Sequence, residues 1–231
     1  MTDNSLLELR VLRTDGMPTL LEIIIKIIVA YLLGSMLGSL IVGKLKGGVD
    51  IREQGSGNAG GTNALRTQGW QFALWVMVID IGKGWLAVAV LPRWFMTGLS
   101  ATALIWLQIG CALAVVVGHV FPVWFGFRGG KGAATLVGVV AGLVPAALPC
   151  VLVTWLVVLM LTGFVGLSTM LATAGFSVWT LVVMPDNQRP LLVFGVIMML
   201  FVVFTHRSNI SRMLSGTENR AKKLWLFRPR A

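Results

Sequence analysis

Residues 55–66 read Gly-Ser-Gly-Asn-Ala-Gly-Gly-Thr-Asn-Ala-Leu-Arg, a mixture suited to holding a phosphate. Four glycines among the seven residues 55–61 let the backbone come close to an anion with its N–H groups turned inward. Ser56, Gly57, Asn58, Gly60, Thr62 and Asn63 are candidate contacts. Thr62 or Asn63 is placed to cap a helix that carries Arg66 beside its positive N-terminus.

A second cluster begins at Gly118-His119-Val120-Phe121-Pro122 and continues to Arg128-Gly129-Gly130-Lys131-Gly132. Lys131, with Gly130 and Gly132 on either side, suits a second phosphate contact. Arg128 is either a further contact or a solvated cation, and His119 either a structural hydrogen bonder or a functional group. The third cluster is His206-Arg207-Ser208-Asn209. His206 and Asn209 stand three apart, on one face of any helix that continues there. They can hydrogen-bond vicinal hydroxyls, and the histidine can accept a proton.

Two familiar motifs are approached and then missed. Gly55-x-Gly57-x-x-Gly60 matches the dinucleotide fingerprint in letters but follows an apolar helix, not a strand. Gly126-x-x-x-Gly130-Lys131 is one residue short of a nucleotide-binding loop, and Gly132 stands where a hydroxyl would hold magnesium. No cofactor and no metal set is expected. Cys111 and Cys150 both lie inside apolar runs and read as small hydrophobes.

The elements that carry these clusters are membrane helices. The chain has 231 residues, of which 56% are hydrophobic and 12% charged, with mean hydropathy +0.84. Soluble domains carry roughly 25% charge. A net charge of +10 would suggest nucleic acid in a soluble protein. Here the cations gather at span ends, so membrane lipid is the expected surface and nucleic acid is not.

Apolar windows predict an all-α bundle of about seven spans near 21–45, 70–92, 98–118, 133–147, 149–164, 166–184 and 190–205. The stretch 133–184 fits two spans or three, with Pro145 and Pro149 at the turn. Three spans bring all the clusters to one side. Lys and Arg concentrate on the cluster-bearing side, which puts it in the cytoplasm with the N-terminus outside and the C-terminus inside. Residues 1–19 form a polar extension without the pattern of a cleaved signal. Residues 20–210 form one membrane-embedded domain, and 211–231 a basic tail expected on anionic headgroups.

Gly34, Ser35, Gly38, Ser39 and Gly43 make a small-residue stripe for close helix packing in the first span. Asp80 and Lys83 are ionisable groups inside a span. Three residues apart, they either pair with each other or support the site.

Taken together, the three clusters resemble the signature motifs of the bacterial acyl-phosphate:glycerol-3-phosphate acyltransferases, the PlsY family. The similarity runs from about Ile24 to Glu218 and includes Val49-Asp50-Ile51-Arg52 and Gly216-Thr217-Glu218. It implies seven spans in the bacterial inner membrane, with the site facing the cytoplasm. It also implies transfer of an acyl group from acyl phosphate to the 1-position of glycerol 3-phosphate. Carried over, Ser56, Arg66 and Lys131 hold phosphate while His206 and Asn209 address the glycerol. His119 and Gly132 belong to the second motif. Gly61 replaces a common alanine and Gly166 a common serine.

The chemistry agrees with that resemblance. An acyl phosphate is already activated, so two anions need only be juxtaposed and the departing charge stabilised. No Ser-His-Asp order or glycine-framed serine is present, and Trp124 and Ser211 occupy the positions where a His-x-x-x-x-Asp pair would need aspartate. A transporter of a phosphorylated solute would use similar cations, but would be expected to place its site near the midplane on broken helices and to show an inverted repeat, and the sequence displays neither.

Overall fold

The computed structural model describes residues 20–94, 99–222 and 224–227, so the expected N-terminal extension lies outside the described residues. All its regular structure is helical. Helix α1 (Leu20–Ser35) and α2 (Gly38–Leu45) form one apolar segment bent by 49°. A short α3 (Gly61–Gln68) precedes α4 (Trp70–Trp85), which continues through a π turn and a 3-10 turn to Arg93. Then come α5 (Ala101–Val120), α6 (Ala133–Leu143), α7 (Leu148–Thr162), α8 (Val165–Val183), α9 (Arg189–Thr205) and α10 (Arg207–Leu214).

Five of these helices are long and apolar enough to cross a membrane, and the bent pair makes a sixth. Three helices do fill residues 133–184, with the turn at Pro145–Ala147. The fourth expected span falls short. Helix α6 has 11 residues, only about 16 Å at 1.5 Å per residue, because Gly132 starts it and the extended Val144 before Pro145 stops it. Outward faces of the long helices carry exposed Leu, Val and Ile, such as Leu152, Val153 and Leu200, as a lipid-facing surface requires.

The small-residue stripe packs as expected, but across a broken helix. A Cβ on Gly34 would collide with the Val115 backbone of α5, and one on Gly38 would lie 2.8 Å from the Val76 carbonyl of α4. Similar close approaches join Gly118 to Tyr31, and Gly84 and Gly138 to α6 and α4 respectively.

Asp80 and Lys83 explain how the break survives in an apolar setting. Lys83 Nζ donates to the carbonyls of Gly34 (2.9 Å) and Met36 (2.8 Å), at the C-terminal end of α1. Asp80 Oδ1 accepts from the Gly38 N–H (3.1 Å), the first residue of α2. The cation faces the negative helix end and the anion the positive one, and they pair with each other at 2.9 Å. His119 joins them, its Nδ1 3.0 Å from Lys83 Nζ.

The tail has contacts of its own. After α10 the chain turns at Gly216 (φ 73°) and its described part folds back onto the α7–α8 corner.

Candidate functional site

The first glycine turn is shaped from within. Gly55 and Gly57 have φ of 58° and 71°, a region side chains avoid. Asn63, 1% exposed, reaches back from α3. Its Oδ1 accepts from the Ser56 N–H (2.9 Å), and its Nδ2 donates to the carbonyls of Ile51 (2.8 Å) and Gln54 (3.0 Å). The expected cap is therefore corrected: the N-cap of α3 is Gly60, without a side-chain cap, and Asn63 braces the preceding loop instead. The N–H groups of Gly61 and Thr62 have no partner among the described residues. Arg66, one turn on, is exposed and likewise without a partner among them.

The second turn is shaped from outside. Gly129 and Gly130 N–H groups donate to the carbonyls of Val120 and His119, both at 3.1 Å. A Cβ on Gly130 would collide with His119 Nε2. Arg52 grips the same turn from the first loop: one guanidinium nitrogen donates to the Phe125 and Arg128 carbonyls (3.1 Å each) while the others fork onto Asp50. That fork holds the Asp50 carboxyl below the usual carboxylate range and raises the Arg52 guanidinium. Gly132, at φ 87°, starts α6 with no side-chain cap.

Lys131 stands between these helix ends and the third cluster. Its ammonium donates to Asn209 Oδ1. Asn209 Nδ2 donates to Glu218 Oε1 (2.7 Å), and Glu218 Oε2 accepts from Arg212 Nε (2.6 Å). Burial, with Arg212 and Arg207 nearby, lowers the Lys131 ammonium to about 8. His206 Nδ1 lies 2.8 Å from the Val202 carbonyl, which fixes the proton there and leaves Nε2 as the acceptor. Burial brings its imidazole down to about 4, so it is neutral at ordinary pH.

These groups line one cavity of roughly 480 Å³. Ser56, Asn58, Gly60, Thr62, Asn63, Arg66, Asp80, His119, Lys131, Gly132, His206 and Asn209 all border it. Four sequence candidates do not. Gly57 shapes the turn, Gly130 seats it on His119, Lys83 lies behind Asp80, and the Arg128 side chain is exposed. Arg212 and Glu218 line the cavity without having been given a role there; Glu218 marks only the end of the resemblance, and Arg212 stands three residues after Asn209, on the same helical face. Beyond the polar end the walls become apolar, with Val140, Val151, Trp155, Phe176, Phe194 and Met198 from α6 to α9.

Gly166 belongs to this packing. A Cβ there would lie 3.0 Å from Asn209 Cγ, so a larger residue would press on the Lys131–Asn209 contact. At Gly61 a Cβ would lie 2.8 Å from Met77 Sδ, the flexible end of a side chain that can yield.

Fold and site together define a polytopic membrane protein with a cavity that joins a cationic, glycine-lined end to a hydrocarbon end. Comparison with known proteins carries this to a family. The model of the family described as glycerol-3-phosphate acyltransferase matches residues 24–216. A glycerol-3-phosphate acyltransferase of Chlorobaculum tepidum is 37% identical over 205 residues, 78% of this chain and 88% of the relative. One from Sinorhizobium fredii is 38% identical over 187 residues, 78% and 83% of the two chains. The solved structure of PlsY, an integral membrane glycerol 3-phosphate acyltransferase in its glycerol 3-phosphate form, superposes with TM-score 0.76 at 34% identity, covering 86% of this chain and 94% of that one. Its lysophosphatidic acid form gives 0.75 at 33%, covering 89% and 99%. The chain belongs to the glycerol-3-phosphate acyltransferase family and is an integral membrane acyltransferase.

Proposed function

We propose that this protein transfers a fatty acyl group from acyl phosphate to the 1-position of glycerol 3-phosphate, releasing lysophosphatidic acid and inorganic phosphate. The observation that carries the reading is the meeting, in one cavity, of two uncapped helix N-termini, Arg66 and Lys131 with an apolar channel. The relatives' names support glycerol 3-phosphate as acceptor. The donor is argued from the site.

The phosphate of the donor lies on the N–H groups of Gly61 and Thr62, with Arg66 and Lys131 alongside, and its acyl chain runs between α6 and α9. Asn209 and His206 Nε2 orient the glycerol, the histidine accepting a hydrogen bond from the attacking hydroxyl. That oxygen bonds to the acyl carbon, and the carbon–oxygen bond to phosphate breaks. The departing phosphate receives the charge against the cations and helix ends. A neutral imidazole at about 4 is a weak base, so the proton ends on the released phosphate and His206 directs it. Nothing is left on the enzyme.

The cluster-bearing face is assigned to the cytoplasm of the bacterial inner membrane from the Lys and Arg asymmetry, with the N-terminus outside. Cysteine labelling at Ser56, Gly129 and Ser208 from the cytoplasmic side, and at Asn187 from outside, checks that orientation. Labelling of Ser208 from outside would overturn the seven-span arrangement that brings all three clusters to one side. The reaction is tested with purified protein supplied with acyl phosphate and glycerol 3-phosphate. The expected result is lysophosphatidic acid and phosphate in equal amounts. Hydrolysis of acyl phosphate without acylated product would reject the acceptor.

A further inference from the structure

The tail beyond α10 makes contacts that a loose basic extension would not. Arg220 is sandwiched between two rings, its guanidinium carbon 4.3 Å from the centre of Phe164 and 4.1 Å from that of Trp225. It also donates to the Thr162 carbonyl at 3.0 Å. The backbone on either side is tied down as well: Ala221 N–H donates to the Gly163 carbonyl (2.8 Å) and Leu226 N–H to that of Met160 (2.9 Å). Gly163, at φ 76°, leaves room for this stack, since a Cβ there would lie 3.1 Å from both Arg220 Cβ and Trp225 Cγ.

The corner so gripped is the seat of Asn209. Residues 162–166 have Arg220 and Trp225 on one side, and Gly166 against the Asn209 side chain on the other. Two residues before Arg220, Glu218 accepts the Asn209 amide and the Arg212 guanidinium. Asn209 therefore depends on the tail twice, through the acid that binds its nitrogen and through the corner that backs its carbon.

We propose that Arg220 and Trp225 form a latch that closes the C-terminal strap over the α7–α8 corner, and that they are positioning residues for acceptor binding. They touch no reacting atom and act through Glu218 and Asn209. The inference rests on the reading of Asn209 as a contact to glycerol 3-phosphate. Opening the latch lets Glu218 leave Asn209, whose amide then turns away from the acceptor, while the donor's phosphate keeps Arg66, the α3 N-terminus and the Lys131 ammonium, which gives up only its bond to Asn209 Oδ1. Acceptor and donor affinities should separate.

Steady-state kinetics of full-length R220A and W225A, measured against both substrates, test this. The KM for glycerol 3-phosphate should rise about tenfold, as loss of a stacked cation implies, while the KM for acyl phosphate and kcat stay within about twofold. W225F keeps an aromatic face and should restore the acceptor KM. The double variant R220A/W225A should be no worse than R220A alone, because Trp225 acts through its stack on Arg220. If R220A does not accumulate, W225A and W225F carry the same comparison. An unchanged acceptor KM, a parallel rise in both KM values, or failure of W225F to rescue overturns the latch. The wild-type protein is the control for the underlying reaction: absence of lysophosphatidic acid from it rejects the proposed function, whereas normal product with unshifted variants rejects the latch alone.

Discussion

The two glycine turns carry similar chemistry but are held in different ways. The turn at residues 55–61 is braced by Asn63, its own near neighbour, whose amide satisfies three backbone groups within the loop. The turn at 126–132 is braced by Arg52, from a loop more than seventy positions away, and by the end of α5. A locally braced loop fails when one residue is lost. A remotely braced loop fails when two parts of the chain come apart. Arg52 also couples the loops, since Asp50 anchors it in the segment that leads into the first turn while its remaining nitrogen holds the second.

The largest expected effect comes from the groups that meet the departing phosphate. Arg66→Ala and Lys131→Ala should each lower kcat/KM by at least about a hundredfold, the usual loss when one charged contact to a developing charge is removed. Comparable activity in either variant would break the assignment of both turns to phosphate. Next is Asn63→Ala, which leaves the Ser56 N–H and two carbonyls without their partner and should cost about thirtyfold in kcat/KM. Arg52→Lys keeps the charge but loses the planar fork, and about tenfold is expected. A larger loss from Arg52→Lys than from Asn63→Ala would invert the comparison. Arg128→Ala should fall within about threefold, because only its carbonyl is used.

The second turn should also show in a pH profile. Lys131 holds phosphate only when protonated, and its ammonium lies at about 8 in the free protein. Activity as kcat/KM is therefore full below that value and declines as pH rises through it. Lys131→Arg should carry the decline above the accessible range in whatever activity it retains. A profile that stays level to pH 10 in the wild type would remove Lys131 from that role.

What the sequence made legible follows the same division. Clusters of glycine with Arg, Lys, His and Asn declare an anion site because their types and spacing are local facts. The meeting of Lys131 with Asn209 was implied by placing all the clusters on one side. The break between α1 and α2 was hidden, because Met36 and Leu37 are apolar and the Gly-Ser pairs on either side read as a packing stripe. Asp80 and Lys83 were legible as a pair, but their service to the broken helix depends on α4 crossing it. Arg52 meets Phe125 through a backbone carbonyl, which no side-chain pattern reveals. Glu218 was legible only as part of the resemblance and Arg220 as an ordinary tail charge; their contacts depend on the chain turning back at Gly216. Helix α6 proved shorter than its apolar window because Ala147 and its neighbours extend the hydropathy beyond the helix.

The central claim is that the two turns hold a small phosphate leaving group, and donor choice tests it most directly. Purified protein should be given glycerol 3-phosphate with either an acyl phosphate or an acyl-coenzyme A of the same chain length, and lysophosphatidic acid measured for each. The account predicts turnover with acyl phosphate, competitive inhibition by inorganic phosphate, and no product from the coenzyme A ester. Comparable rates from both donors would contradict it.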